Sequence, residues 1–153
     1  MPHIHEKIDY VSNIYIVHDG SVLLRKHDKH GLWFPPGGHV ELDEDPPHAA
    51  VREAKEEVGM DVELIGSEPR SFLEGEKEIL APRFMDRHRI NESHEHISFT
   101  FFARSVTREF AQSEGREVSD HIRWFTKEEL DDPQYGVTEM INYYAKAALD
   151  ALA

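Results

Sequence analysis

One helical segment with signals at both ends most constrains how this chain can fold. Residues 46–58 follow Asp45, which suits the N-cap position, and start with Pro46, which suits the first helical position. Gly59 comes next and suits the left-handed conformation that ends many helices. At about 100° per residue, four apolar side chains share one stripe and predict a buried face: Ala50, Val51, Ala54 and Val58.

Segments with strand character lie on both sides of this helix. Residues 96–104 give the clearest strand, because apolar side chains alternate along one face. Residues 75–95 are polar, contain Pro82 and predict a long loop. The other predicted elements are strands over 9–18, 21–26 after the Asp19-Gly20 turn, 61–66, 71–74 and 122–125, a loop over 31–38, a helical turn from Thr126, and a final helix over 138–152 capped by Thr138. Strands outnumber helices, so we expect an α+β fold in which helices cover a mixed sheet.

Length and composition predict one globular domain over residues 1–153. The chain has 39% hydrophobic and 31% charged residues, and no repeat or linker divides it. No apolar run is long enough to span a membrane, and the polar N-terminus lacks the apolar stretch of a secretory signal. The absence of cysteine excludes disulfides, thiolate nucleophiles and cysteine-bound zinc. These features predict a cytoplasmic protein without a membrane partner.

The net charge restricts the partners of the chain. Thirty acidic residues against 17 Lys and Arg leave a formal charge of −13. A surface this negative argues against a nucleic-acid partner, because it repels the phosphate backbone. A small polyphosphate would also be repelled unless cations and local basic groups intervene. The distribution of the acidic residues is therefore more informative than their number.

The polar face of the predicted helix concentrates negative charge. Glu53, Glu56 and Glu57 share an arc of about 100°, and only Arg52 stands beside them to offset the repulsion. A solvated acidic face is one interpretation. The other is a site for hard divalent cations, which prefer oxygen ligands.

The spacing of residues around the helix favours the second interpretation. From Gly38 the sequence reads GHVELDEDPPHAAVREAKEEVGM. This segment resembles the signature box of the Nudix hydrolases, in which a glycine, five residues, a glutamate and seven residues precede Arg-Glu-aliphatic-x-Glu-Glu-x-Gly-aliphatic. Every fixed position matches: Gly38, Glu44, Arg52, Glu53, Glu56, Glu57 and Gly59, with Ala54 and Met60 at the apolar places.

The resemblance implies a fold and a reaction. The fold is an α/β/α sandwich around a central mixed sheet. The reaction is hydrolysis of a nucleoside diphosphate linked to another moiety, by attack of water on a phosphorus of the pyrophosphate. Implied substrates are small nucleotide derivatives: ADP-ribose or another nucleotide sugar, a nucleoside triphosphate, or a dinucleoside polyphosphate. Many family members dimerise, so a homodimer is compatible with the resemblance.

The resemblance also implies roles for individual residues. Glu56 and Glu57 would bind Mg²⁺ or Mn²⁺, and Glu53 would join them or accept the proton of the attacking water. A backbone carbonyl of Gly37 or Gly38 would complete the coordination. The supporting roles fall to Arg52, which would orient Glu56, and to Glu44, which would pair with Arg52 or bind the cation through water.

The catalytic base often lies outside the box, on a loop before a late strand that contains tryptophan. Here that loop is 111–121, which offers Glu114 and Glu117, and we favour Glu117. Between residues 82 and 94 a local excess of positive charge makes Arg83 and Arg87 candidates for substrate binding. The alternative for both arginines is an exposed loop that pairs with neighbouring acids.

Two further features have a structural and a functional interpretation. His94 and His96 would share one face of a strand, where a hydrogen-bonded structural role competes with contact to phosphate or metal. Trp33, Phe34 and Phe84 could stack on a nucleobase, although core packing is favoured for the first two. A Nudix-fold sensor or interaction module without turnover is the alternative to an enzyme, but such proteins typically lose box glutamates and this box is intact.

Overall fold

The computed structural model describes residues 7–27, 31–110 and 122–153. Within these ranges the chain forms eight strands and three helices. In chain order they are β1 (Ile8–His18), β2 (Ser21–Lys26), β3 (Trp33–Phe34), β4 (Gly37–His39), α1 (Pro46–Val58), β5 (Glu63–Leu64), β6 (Phe84–Asn91), β7 (His94–Arg104), β8 (Ile122–Thr126), α2 (Lys127–Leu130) and α3 (Glu139–Ala151). None of these helices is long and apolar enough to cross a membrane.

The strands form one mixed sheet. β1 runs parallel to β7 from the pair Ile8 and Glu95 to the pair Val17 and Arg104. β1 is antiparallel to β2 and β4, and β7 is antiparallel to β5 and β6. β2 also pairs with β3 and β8. The predicted α+β fold with a mixed sheet is confirmed.

The two longer helices cover opposite faces of the sheet. Alternate residues of β1 point to opposite faces: Ile14 and Ile16 pack with α1, and Tyr15 and Val17 pack with α3. All four of these side chains are buried. Two hydrophobic layers therefore hold the helices against the sheet and form the predicted sandwich.

The ends of α1 are those that the sequence predicts. The Asp45 side chain accepts a hydrogen bond from the backbone N–H of His48 at 3.0 Å, and Gly59 ends the helix at φ 66°. The predicted buried stripe is wrong at Val51, which is 38% exposed. Helix α1 packs against both β1 and β4, so its buried arc extends instead to Ala49 and Glu53.

The prediction for the segment before β7 is wrong. Residues 84–91 of the expected loop form β6, which makes a hairpin with β7. Exposed residues alternate with partly buried ones over residues 84–89 of β6, the partly buried ones include the polar Asp86 and His88, and among the described strands β6 pairs with β7 alone. An edge strand of this kind lacks the apolar alternation that reveals a buried strand. The strand expected over 71–74 is reduced to one bridge between Ser71 and Lys77.

Candidate active site

Three carboxylates of α1 converge where the helix meets β4. The side chains of Glu53, Glu57 and Glu56 are 6%, 10% and 34% exposed. Burial and the negative charge of Glu53 raise the pKa of the Glu57 carboxyl, and one Nη atom of Arg52 reaches both Glu53 and Glu56. The acidic face is therefore a partly buried cluster and not a fully solvated surface.

Arg52 organises this cluster from its solvent side. Nη1 donates to Glu53 at 2.8 Å and to Glu56 at 2.9 Å. Nη2 donates to Glu44 at 2.6 Å and to the backbone carbonyl of His39 at 2.9 Å. The guanidinium hydrogen bonds lower the pKa of the Glu44 carboxyl. Arg52 thus ties the helix to β4 and to the loop that precedes the helix, which orients two of the three carboxylates.

Two glycines of β4 allow the backbone to approach the helix and β1 closely. A Cβ atom at Gly38 would lie 2.6 Å from the carboxyl carbon of Glu53. A Cβ atom at Gly37 would lie 2.5 Å from the backbone carbonyl oxygen of Ser12 on β1. A larger residue would displace the Glu53 carboxylate at position 38 or press on the neighbouring strand at position 37.

Arg25 completes the cluster, and the sequence analysis missed it. Its Nη1 lies 2.6 Å from an Oε atom of Glu57, and both side chains are largely buried. Burial raises the pKa of Glu57 to about 7, and the negative charge of Glu53 acts in the same direction while Arg25 opposes them. The available signal was the position of Arg25 directly after the apolar residues 22–24 of β2, on the same strand face as buried Leu23.

A cavity opens beside the cluster, between the sheet and the start of α3. Its volume is about 370 Å³. The wall next to the carboxylates includes Arg25, Gly37 and Gly38, and the opposite wall includes Tyr144. The Ser98 hydroxyl also lines the cavity and, among the described residues, has no hydrogen-bond partner. A small molecule in the cavity would therefore lie next to β4 and within reach of polar groups.

The structure does not bring the two predicted substrate-binding arginines into this cavity. The guanidinium of Arg83 lies 5.0 Å from the centre of the Phe102 ring. Arg87 forms an ion pair with Glu95 on the neighbouring strand. Phe84, Asp86 and His88 alternate with Arg87 along β6, and both Asp86 and His88 line the cavity, so Arg87 points to the other face.

The remaining predictions about individual residues have different outcomes. Trp33 is buried in the core, as expected. Phe34 lines the cavity, and Phe84 stacks on Tyr144 of α3 with 4.4 Å between ring centres. Glu114 and Glu117 lie outside the described residues.

The site has the donor set of a divalent-cation centre. The carboxylate oxygens belong to Glu53, Glu56 and Glu57, which lie on adjacent turns of α1 and face β4. The glycines of β4 leave room near these oxygens. The cavity beside them is large enough for part of a small ligand. Together, the sandwich fold and this site define a candidate hydrolytic enzyme centre.

Comparison with known proteins agrees with this class. A family model described as the NUDIX domain matches residues 10–147. The crystal structure of a Nudix-family hydrolase from Clostridium perfringens is 31% identical with a TM-score of 0.83, over 95% of this chain and 98% of that chain. The chain belongs to the Nudix hydrolase family.

Curated relatives match over shorter stretches. A CTP pyrophosphohydrolase from Escherichia coli is 35% identical over 88 residues, which are 53% of this chain and 65% of that protein. A MutT-like protein from Streptomyces ambofaciens is 39% identical over 54 residues, about a third of each chain. The chain thus spans less than two thirds of the curated relatives that it matches.

Proposed function

We propose that this protein is a divalent-metal-dependent hydrolase that cleaves the pyrophosphate bond of a nucleoside diphosphate linked to another moiety. The observation that carries the proposal is the convergence of Glu53, Glu56 and Glu57 beside Gly38, at the edge of the cavity. The family of the chain and the E. coli relative named as a CTP pyrophosphohydrolase support the same reaction class.

The proposed cation ligands are Glu53, Glu56, Glu57 and the backbone carbonyl of Gly37. Mg²⁺, or Mn²⁺ in its place, would neutralise the charge of the pyrophosphate and lower the pKa of a bound water. Oxygen donors suit these hard cations. The backbone at Gly38 approaches Glu53 closely, and a larger residue in place of Gly38 would abolish this approach.

The surrounding residues position the carboxylates. Arg52 holds Glu53 and Glu56 from one side, and Arg25 holds Glu57 from the other. This fixes the direction of the carboxylate oxygens before substrate arrives, which reduces the reorganisation that catalysis requires. We assign removal of the water's proton to Glu53 or to Glu117.

The cavity would bind the nucleoside part of the substrate. Phe34 and Tyr144 offer aromatic surface for a base, and Ser98 offers a buried hydroxyl. Nucleoside triphosphates, nucleotide sugars such as ADP-ribose, and dinucleoside polyphosphates are the candidate substrates. The cytoplasmic location, the single domain over residues 1–153 and the homodimer stay predictions.

The test is hydrolysis of a panel of these nucleotides with Mg²⁺ or Mn²⁺, scored by release of nucleoside monophosphate. We expect turnover of at least one class and its loss on chelation of the metal. Glu57→Gln should abolish turnover while the far-UV circular dichroism spectrum stays unchanged. Glu63→Gln, an exposed glutamate of β5, is the matched control and should retain activity. Binding of nucleotides without hydrolysis by the wild-type chain would favour the sensor alternative instead.

A further inference from the structure

A second group of possible metal ligands lies on the sheet face covered by α3, apart from the glutamates of α1. Strand register places its members side by side. Asp9 of β1 is paired with His96 of β7, and His96 is paired with His88 of β6. His94 lies two residues before His96 on the same face of β7. His39 of β4 is the last member of the group. It directly follows Gly38, which pairs with Ser12 of β1.

Asp9 is at the centre of the closest contacts. Its Oδ2 atom lies 2.9 Å from Nε2 of His94 and 3.6 Å from Nε2 of His39. One ligand atom each of Asp9, His94 and His96 lie within 4.8 Å of one another. The His96 ring is 5.1 Å from the His94 ring and 5.2 Å from the His39 ring, between ring centres. Three potential ligand groups thus have their ligand atoms close together, and His39 lies beside Asp9 and His96.

The chemistry of this group differs from that of the glutamate cluster. Imidazole nitrogens with one carboxylate suit Zn²⁺ and related transition metals, whereas oxygen-only sites suit Mg²⁺ and Mn²⁺. Asp9, His94 and His96 offer this mixed set of one carboxylate and two imidazoles.

We propose that Asp9, His94 and His96 form a binding site for a zinc-type divalent transition-metal ion, with His39 as the fourth side chain within reach. Tetrahedral zinc places its ligand atoms about 3.3 Å apart. Here Nε2 of His94 lies 2.9 Å from Oδ2 of Asp9, and all three ligand atoms lie within 4.8 Å of one another. Small side-chain rotations reach the tetrahedral spacing, because the three residues are only half-buried.

The position of the site gives it a connection to the cavity. The side chains of His39 and His96 line the cavity wall, and the backbone carbonyl of His39 accepts a hydrogen bond from Arg52 at 2.9 Å. An ion held here would place positive charge at the wall of the cavity. This wall lies on the sheet face that α3 covers, and α1 covers the other face. The proposal does not depend on the hydrolytic activity, since it concerns binding of the ion by residues outside the glutamate cluster.

Zinc uptake by the untagged full-length chain tests the proposal. Equilibrium dialysis against Zn²⁺ in the presence of excess Mg²⁺, followed by metal analysis, should show one ion per chain. Cobalt(II) substitution should give the intense visible absorption of tetrahedral coordination. The double variant His94→Gln/His96→Gln should lose the ion and the absorption, and Asp9→Asn should weaken binding at least tenfold.

Three controls separate this site from other sources of uptake. His48→Gln removes an exposed histidine of α1, and His3→Gln/His5→Gln removes two N-terminal histidines that lie outside the described residues. Glu56→Gln/Glu57→Gln removes the proposed magnesium ligands. All three should keep full zinc uptake, with the thermal midpoint of each variant measured to show that it is folded. No uptake by the wild-type chain, or full zinc uptake by the His94→Gln/His96→Gln variant, would overturn the proposal.

Discussion

Arg25 and Glu57 form an ion pair of 2.6 Å that joins β2 to α1 across 32 positions of the sequence. Both side chains are largely buried, so each charged group loses interactions with water. The opposite charge of its partner compensates for that loss. The pair therefore connects the position of a proposed metal ligand to the packing of the helix on the sheet.

Removal of Arg25 should destabilise the metal-free protein. We expect Arg25→Met to cost about 2 kcal/mol at neutral pH, because the buried Glu57 carboxyl, whose pKa is already raised to about 7, would lose the cation that stabilises its charged form and would have to take up a proton. Urea unfolding in the presence of a chelator measures the loss. The double variant Arg25→Met/Glu57→Gln should recover part of it, since the unpaired charge is then absent. Additive losses from the two single variants would show that the residues are not coupled.

A methyl group at Gly38 should affect the site more than the fold. In Gly38→Ala the new Cβ would meet the carboxyl end of Glu53. This end of the side chain can move aside, but its proposed role in the site requires its present position. We expect hydrolysis to fall about 100-fold, the cost of misplacing a reacting or ligand group by about 1 Å, with a small change in unfolding free energy.

Two other glycines serve as comparisons for Gly38→Ala. Gly37→Ala would press on the backbone of β1, so it should lower stability more than Gly38→Ala does. Gly75→Ala lies in open space at φ 85°, so it should cost about 1 kcal/mol of backbone strain without loss of activity. Full activity in Gly38→Ala would contradict the proposed role of Glu53.

The parts of the structure that the sequence predicted are those with local signals. Both ends of α1 were predicted because Asp45, Pro46 and Gly59 act within one turn of the helix. Glu53, Glu56 and Glu57 share one face of this helix, and the resemblance of the segment to the Nudix box implied their role as metal ligands. Strand β7 was found because its apolar residues alternate.

The parts that were missed depend on contacts between distant segments. β6 has no apolar alternation, and its existence depends on pairing with β7. The role of Arg25 requires the crossing of β2 and α1. His94 and His96 were predicted to share a face, but the meeting with Asp9 follows from the parallel register of β1 and β7, which no local pattern specifies.

The cap of α2 should make stability depend on pH. The Glu129 side chain accepts a hydrogen bond from the Thr126 backbone N–H at 2.9 Å and pairs with Arg123 at 2.7 Å. These contacts, the backbone hydrogen bond first, lower the pKa of Glu129. A carboxylate whose pKa is lower in the folded state stabilises the fold above its unfolded value and loses that contribution as the pH falls through the folded value.

The variant Glu129→Gln isolates the charge, because glutamine can still close the capping box. We expect it to be less stable than the wild type by about 0.5 kcal/mol at pH 7, a small value because the pair is exposed to solvent. The difference should shrink as the pH falls below about 4.5. Denaturant unfolding between pH 7 and about pH 3.5 measures it. Glu128→Gln, in the same helical turn but outside the capping box, is the matched control for removal of one negative charge.

The assignment of the catalytic base can be tested apart from the metal site. If Glu117 removes the proton of the attacking water, Glu117→Gln should lower kcat by about 100-fold or more, because general-base catalysis contributes an effect of that size. Affinity for Mg²⁺ should stay unchanged, since Glu53, Glu56 and Glu57 remain. Glu114→Gln, three residues away in the same segment, is the matched control and should retain kcat. Full activity in Glu117→Gln would transfer the role to Glu53, whose replacement by glutamine should then lower both kcat and the affinity for the metal.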